Sequence, residues 1–353
     1  MDLRTSIFAF AALTLCACHF GNAAGDGTIS TSRAVPEDSL TIALRAIDQR
    51  IVADPGNARL YAERARLYIN KDSTKRAITD AERAVTLDSG NVNNRLMLGD
   101  LYYISVRLDN AMAQYNAVIA IDPRNVPAML KLAEIQLVQR QYELSMKLVN
   151  DALRINPNAA HGYYIKGWIH METHDTTVAI SSFHTAVEQD PQDYKAYMML
   201  GKLSAARHDP LAEQFYNTAI ELHPRSVEAW YDKAIYCQDH GKDSIALECY
   251  KHIMEIDTMN ALAWYNSGFV RMEHLNDFAH AKSDFSHAIA LQPNYTDAWY
   301  NRGVAMEKSN ELDSAAANYQ VCLSIAPGHS LAAESLDRLA KRGVHIRMFD
   351  KKK

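Results

Sequence analysis

Apolar side chains recur every third or fourth residue along this chain, in stretches of helical length that come in pairs. Pro55, Ser89, Pro123, Pro157, Pro191, Pro224, Thr258, Pro293 and Pro327 close successive pairs at spacings of 33 to 35 residues. Asp or Asn stands before several of them, as in Asp54-Pro55, Asp122-Pro123, Asn156-Pro157 and Asp190-Pro191. The residue before a proline is pushed out of the helical region, so each of these sites reads as a helix stop. The pattern predicts eight two-helix units between Ala58 and His329.

Two further registers run through the same units. Only a small side chain occupies Ala65, Gly99, Ala133, Gly167, Gly201, Ala234, Gly268 and Gly303, each midway along a first helix. On the second helices Ala77, Ala111, Ala179, Ala212, Ala246, Ala281 and Ala315 recur, and four residues beyond most of these stands Tyr115, Phe183, Tyr216, Tyr250, Phe285 or Tyr319. A four-residue step puts the small and the large group on one helix face. Two antiparallel helices can approach closely only where one presents Gly or Ala, and the aromatic of the other then fills the space beside that contact.

This arrangement resembles the tetratricopeptide repeat, whose first helix carries Trp, Leu-Gly and Tyr and whose second carries Ala, Phe and a closing Pro. The resemblance is closest in Ala229-Trp230-Tyr231, Ala263-Trp264-Tyr265-Asn266-Ser267-Gly268 and Ala298-Trp299-Tyr300-Asn301-Arg302-Gly303. It implies an all-α fold: a right-handed superhelical solenoid of antiparallel helix pairs with N- and C-terminal capping helices. Unit 1 departs from the pattern with Ala81 in place of the aromatic, and unit 3 with Ser145 and Val149. Lys166, Lys233 and Arg302 replace the Leu before the small residue. One residue is missing near Asp209-Pro210 and one is added near Leu275-Asn276, both at turns between helices, where length changes are tolerated.

The expected organisation is a lipoprotein signal peptide over 1–17, a flexible tether over 18–37, an N-terminal capping helix over 38–54, eight units over 58–329, a capping helix over 330–342 and a basic tail over 343–353. The apolar run Ile7 to Leu15 behind Arg4 is far short of the roughly 20 residues needed to span a bilayer, and reads as the core of an export signal. Leu15-Cys16-Ala17-Cys18 directly after it resembles a bacterial lipobox, which implies lipidation at Cys18. Ordinary cleavage after Ala23 or Ala24 is the alternative.

A formal net charge of -5, from 37 basic and 42 acidic residues, gives no field that would favour nucleic acid. Cys237, Cys249 and Cys322 have no zinc-like or redox spacing and suit packing as free thiols, although Cys237 and Cys249 could bridge one helix pair. His170 and His174 stand four apart, and His280, Asp284 and His287 form a second cluster of helical spacing. Both read as solvated helix surface, and no metal or other cofactor is expected. A phosphate-binding glycine loop, a nucleophile elbow and a Cys paired with a base are absent from the sequence, so no catalytic residue is assigned.

By the same resemblance, the first helices line an inner concave surface that takes a protein or peptide. The expected groove residues are Tyr164, Trp168, Met198, Lys202, Tyr231, Tyr265, Asn266, Phe269, Tyr300 and Asn301. Aromatics at such positions bury much area at little rotamer cost, which suits an extended peptide or a partner helix. The two-carboxylate clamp of some relatives does not appear: Leu130, Tyr164 and Met198 stand where its basic residues would be, and Lys131, Lys195 and Lys202 are dispersed. Asn266 and Asn301 resemble the start of an asparagine ladder. The expected function is a non-enzymatic scaffold or adaptor, lipid-anchored to the bacterial envelope at the outer membrane or its periplasmic face. The alternatives are a metal-dependent or wall-active envelope enzyme and a self-associating structural solenoid.

Overall fold

The computed structural model describes residues 39–70 and 73–344. The signal peptide, Cys18, the tether up to residue 37 and residues 345–353 of the basic tail lie outside the described residues. Among the described residues there are eighteen α-helices and no strand. The first, α1 (Ser39–Ala53), precedes eight antiparallel pairs. Their first helices are α2 (Ala58–Asn70), α4 (Val92–Ile104), α6 (Val126–Val138), α8 (Ala160–Glu172), α10 (Tyr194–Ala206), α12 (Val227–Asp239), α14 (Ala261–Glu273) and α16 (Thr296–Lys308). Their second helices are α3 (Thr74–Leu87), α5 (Leu108–Ile121), α7 (Tyr142–Ile155), α9 (Thr176–Gln189), α11 (Leu211–Leu222), α13 (Asp243–Ile256), α15 (Phe278–Leu291) and α17 (Leu312–Ile325). The last helix is α18 (Ser330–Lys341). Together they form a right-handed superhelical solenoid in which each unit packs on its sequence neighbours.

The turn between units explains its own composition. At the helix stop the residue before proline is extended, as at Asp122 (φ -126°, ψ 90°). Three residues later an Asn, Asp or Ser caps the next helix: Asn91, Asn125, Asp193, Ser226 and Asn260 each accept a backbone N–H with the side-chain oxygen. The carbonyl freed by the stop is also satisfied. Trp230 Nε1 donates to the Pro224 carbonyl at 2.9 Å and Trp299 Nε1 to that of Pro293 at 2.8 Å. Tyr163 and Tyr61 do the same with their hydroxyls, and Arg95 with its Nε toward Ser89. The Trp of the repeat is thus a donor as well as a packing group.

Within each unit the notch is as tight as the small-residue register implies. A Cβ placed on Gly99, Gly167, Gly201, Gly268 or Gly303 would lie 2.7, 2.6, 2.6, 2.9 or 2.7 Å from the ring of Tyr115, Phe183, Tyr216, Phe285 or Tyr319. Units 1 and 3 make the compensating choice, pairing Ala65 with Ala81 and Ala133 with Val149, all fully buried. Ser145, the other departure of unit 3, donates its hydroxyl to the Ala133 carbonyl at 2.8 Å. Unit 6 is the exception, with Ala234 beside the fully buried Tyr250.

Both ends are closed by a single helix. Ile47 and Ile51 of α1 pack on Leu60, and Arg64 of α2 bonds Asp80 of α3 through Nε and Nη2, both at 2.6 Å, while reaching Asp48 of α1 at 2.8 Å. At the other end Leu339 of α18 is fully buried, and Arg338 and Arg342 pair with Glu307 of α16 at 2.9 and 3.3 Å.

Candidate functional site

Neighbouring first helices touch one another at α6 and α8, α10 and α12, and α14 and α16. In a curved stack the layer whose helices approach most closely is the inner one, so the first helices form the inner wall. Residues three before and one after the notch, four apart and hence on one face, point along that wall.

Tyr164 and Trp168 lie 6.4 Å apart edge-on, and both rest on the notch ring of Phe183, at 5.7 and 6.3 Å. Tyr265 sits 5.8 Å from Phe285 and 4.9 Å from Tyr295, and Tyr300 lies 5.7 Å from Tyr319 and 5.0 Å from His329. Tyr231 and Phe269 are half-buried on the same wall. Tyr164, Trp168, Tyr231, Tyr265 and Tyr300 pack against the core and leave part of their surface accessible, and Phe269 lies 6.4 Å from the His274 ring. Burial pushes the Tyr164 and Tyr265 hydroxyls up to about 12, so both stay neutral.

Two expected groove residues are placed elsewhere. Met198 is 3% exposed and packs among Tyr216, Ala229 and their neighbours, so it offers a partner nothing to touch. Asn301 is 8% exposed and donates Nδ2 to the Tyr265 hydroxyl at 2.8 Å. Asn266 makes the equivalent, longer contact to Tyr231 at 3.4 Å. These amides act as struts between successive units rather than as a free ladder.

Lys202 is part of a charged cluster that the sequence pattern did not single out. Its ammonium lies 2.7 Å from Glu228 and 3.4 Å from Asp232, joining α10 to α12. Glu134 and His161, 2.8 Å apart, occupy the same two positions between α6 and α8. A recurring offset of 26 or 27 residues between a carboxylate and a Lys or His is the signal that would have found them. Burial raises the Asp232 carboxyl to about 6, Glu228 adds to the rise and Lys202 opposes it. Folded Asp232 therefore binds its proton more tightly than the unfolded chain does, so its ionisation costs stability as pH rises from about 4 to about 6. Asp232→Asn should make the protein more stable than wild type at pH 7.5, by up to roughly 3 kcal/mol, and no more stable near pH 4. Urea midpoints at the two pH values check this; an equal difference at both would contradict it.

The spacing of His170 and His174 does not persist in space, whereas His280, Asp284 and His287 share α15 but are engaged with other neighbours. Helix α8 ends at Glu172, and His174 lies beyond it with φ 65°, off the helical face that carries His170. His280 pairs with Asp277, Asp284 with Arg271 and Ser267, and His287 stacks on Trp264 at 4.3 Å. Among the described residues no group of three or more His, Cys, Asp or Glu is set to hold a metal. Cys237 and Cys249 are buried free thiols, raised by burial to about 11 and about 12 and hence protonated.

Residues 63–126 and 274–330 match one tetratricopeptide repeat family, and residues 105–169 match another. The chain carries tetratricopeptide repeats. Proteins with such repeats generally serve as scaffolds for protein interactions. Over 124 residues this repeat protein is 29% identical to human protein O-mannosyl-transferase TMTC3, covering 35% of the chain and 14% of that protein. Over 101 residues it is 35% identical to mouse RNA polymerase II-associated protein 3, covering 28% of the chain and 15% of that protein. The matches thus span about a seventh of either relative. Its fold is shared by the C-terminal part of a tetratricopeptide repeat-containing protein from Cytophaga hutchinsonii, with a TM-score of 0.59 at 15% identity over 67% of this chain and 98% of that one.

Proposed function

We propose that this tetratricopeptide-repeat protein is a non-enzymatic scaffold, tethered by a lipid on Cys18 to the bacterial envelope, that holds a partner protein or peptide along its inner wall. The observation that carries the binding role is the run of half-buried aromatics, Tyr164, Trp168, Tyr231, Tyr265, Phe269 and Tyr300, spread over the first helices of four of the last five units. All but Phe269 are braced from behind by the core, so little side-chain freedom remains to be lost when a partner covers them. The lipobox-like Leu15-Cys16-Ala17-Cys18 after the apolar run supports the envelope reading.

One fractionation experiment tests both halves. The tagged full-length chain, expressed in a bacterium with an outer membrane, should sediment with membranes, and Cys18→Ser should move it to the soluble fraction. Tyr265→Ala combined with Phe269→Ala should stay with the membranes and keep its helical circular dichroism, yet retain less than about a tenth of the cross-linked partner, because central aromatic anchors carry most interface energy. Unaltered partitioning of the cysteine variant would refute the anchor. Unaltered cross-linking by the aromatic variant would refute the groove.

A further inference from the structure

The inner faces of α12, α14 and α16 combine two features. Tyr231, Tyr265, Phe269 and Tyr300 leave ring surface accessible, and the charges among them are mainly carboxylates. Glu228 and Asp232 share the single ammonium of Lys202, which leaves that junction with a net charge of one negative. Asp297 has a side-chain exposure of 64%, faces His329 at 3.9 Å, and lies near enough to Tyr265 and Tyr295 to act on both hydroxyls. The cations of these helices are turned elsewhere: Lys233 onto the Trp230 ring, Arg271 to Asp284 and Asp277, and Arg302 onto the Trp299 ring at 4.5 Å. Lys308 is the last residue of α16. One Asp232 oxygen, Oδ2, is buried, and the Lys202 ammonium lies 3.4 Å from it.

We infer that the partner segment seated on α12, α14 and α16 is basic and extended, its Lys or Arg side chains lying over Tyr231, Tyr265 and Tyr300 and reaching the carboxylates of Glu228, Asp232 and Asp297. The inference rests on the inner wall being the docking surface. A cation over an aromatic face is attracted by the ring quadrupole, and one that also meets a carboxylate gains a charge-assisted hydrogen bond. An acidic segment would meet like charge at three successive points instead. Asp232 is suited to such a ligand, because a cation beside it would relieve the cost of keeping a half-buried carboxylate ionised with half a counter-ion.

Three fluorescein-labelled synthetic peptides of one Ser/Gly/Tyr framework, carrying Lys, Gln or Glu at the same alternate positions, test this by anisotropy with the purified full-length chain. The Lys peptide should bind at least about tenfold more tightly than the Gln peptide, and the Glu peptide most weakly. Raising NaCl from about 50 to about 300 mM should weaken the Lys peptide at least about threefold. Glu228→Gln with Asp232→Asn, amides of unchanged shape, should cut the Lys-over-Gln preference to below about threefold, and Asp297→Asn, at an exposed site whose ion-pair contact is the 3.9 Å approach to His329, should reduce it independently. Equal affinities for the three peptides, or a preference that survives all three substitutions, would overturn the basic-segment inference and leave the groove standing. Failure of every peptide to bind would remove the groove reading with it. Association of the chain with itself that the Lys peptide cannot displace would identify a second copy as the occupant and overturn the inference.

Discussion

Replacing Phe183 with alanine should lower the stability of the solenoid by about 3–5 kcal/mol, read as a fall in the urea midpoint. Phe183 is fully buried, fills the notch opposite Gly167 and supports both Tyr164 and Trp168 from behind. Truncation leaves a cavity bounded on one side by a glycine, which has no side chain to move into it. The converse change, Gly167→Ala, sets a Cβ 2.6 Å from the Phe183 ring and should cost about 1–3 kcal/mol by overpacking. The decisive measurement is the pair. Gly167→Ala with Phe183→Val rebuilds the Ala133 and Val149 pairing of unit 3, so the double variant should lose clearly less than the sum of its two single changes. Simple additivity would show that the notch and the ring do not share one space.

Arg64→Ala should destabilise the N-terminal end by about 3–5 kcal/mol. Asp80 is 4% exposed, and both its oxygens are bonded to Arg64, so truncation strands a carboxylate in the core. The same guanidinium holds Asp48 of α1, which ties the capping helix to the first unit. Lysine would not substitute, because a point charge cannot serve both oxygens of Asp80 and the second carboxylate, Asp48, in the fixed geometry of a guanidinium fork. A solenoid transmits stability only between neighbours, so the loss should be local. Amide hydrogen exchange should accelerate across α1 to α3 and remain at the wild-type rate across α12 to α15. Uniform acceleration would contradict the local reading, and no acceleration would contradict the role of the pair.

Much of this architecture was legible in the sequence, because every unit must solve the same packing problem and so repeats the same solution. The proline, glycine and aromatic registers each correspond to one contact: a helix stop, a close approach and the ring that fills it. The departures at Ala81 and Val149 were visible, but their compensation by Ala65 and Ala133 needed the two helices side by side. The inner wall was only partly legible. Register gives the direction in which a side chain points, not whether its neighbour covers it, and Met198 points along the wall yet is enclosed beside Tyr216. Asn301 shares the register of the half-buried Asn266 but is buried, drawn onto the Tyr265 hydroxyl. The Lys202, Glu228 and Asp232 cluster escaped notice because it joins different units and leaves no mark on the periodicity of either helix. In sequence His170 and His174 read as a solvated turn at a helix end, and α8 ends at Glu172, between the two.

The struts from Asn266 to Tyr231 and from Asn301 to Tyr265 carry a mechanical implication. They cross the joints between successive units and are fastened to rings that the proposed partner segment would press on. A segment seated there as proposed would have to shift the spacing of the units these struts tie, and stretching the rod would change the gap the segment fills.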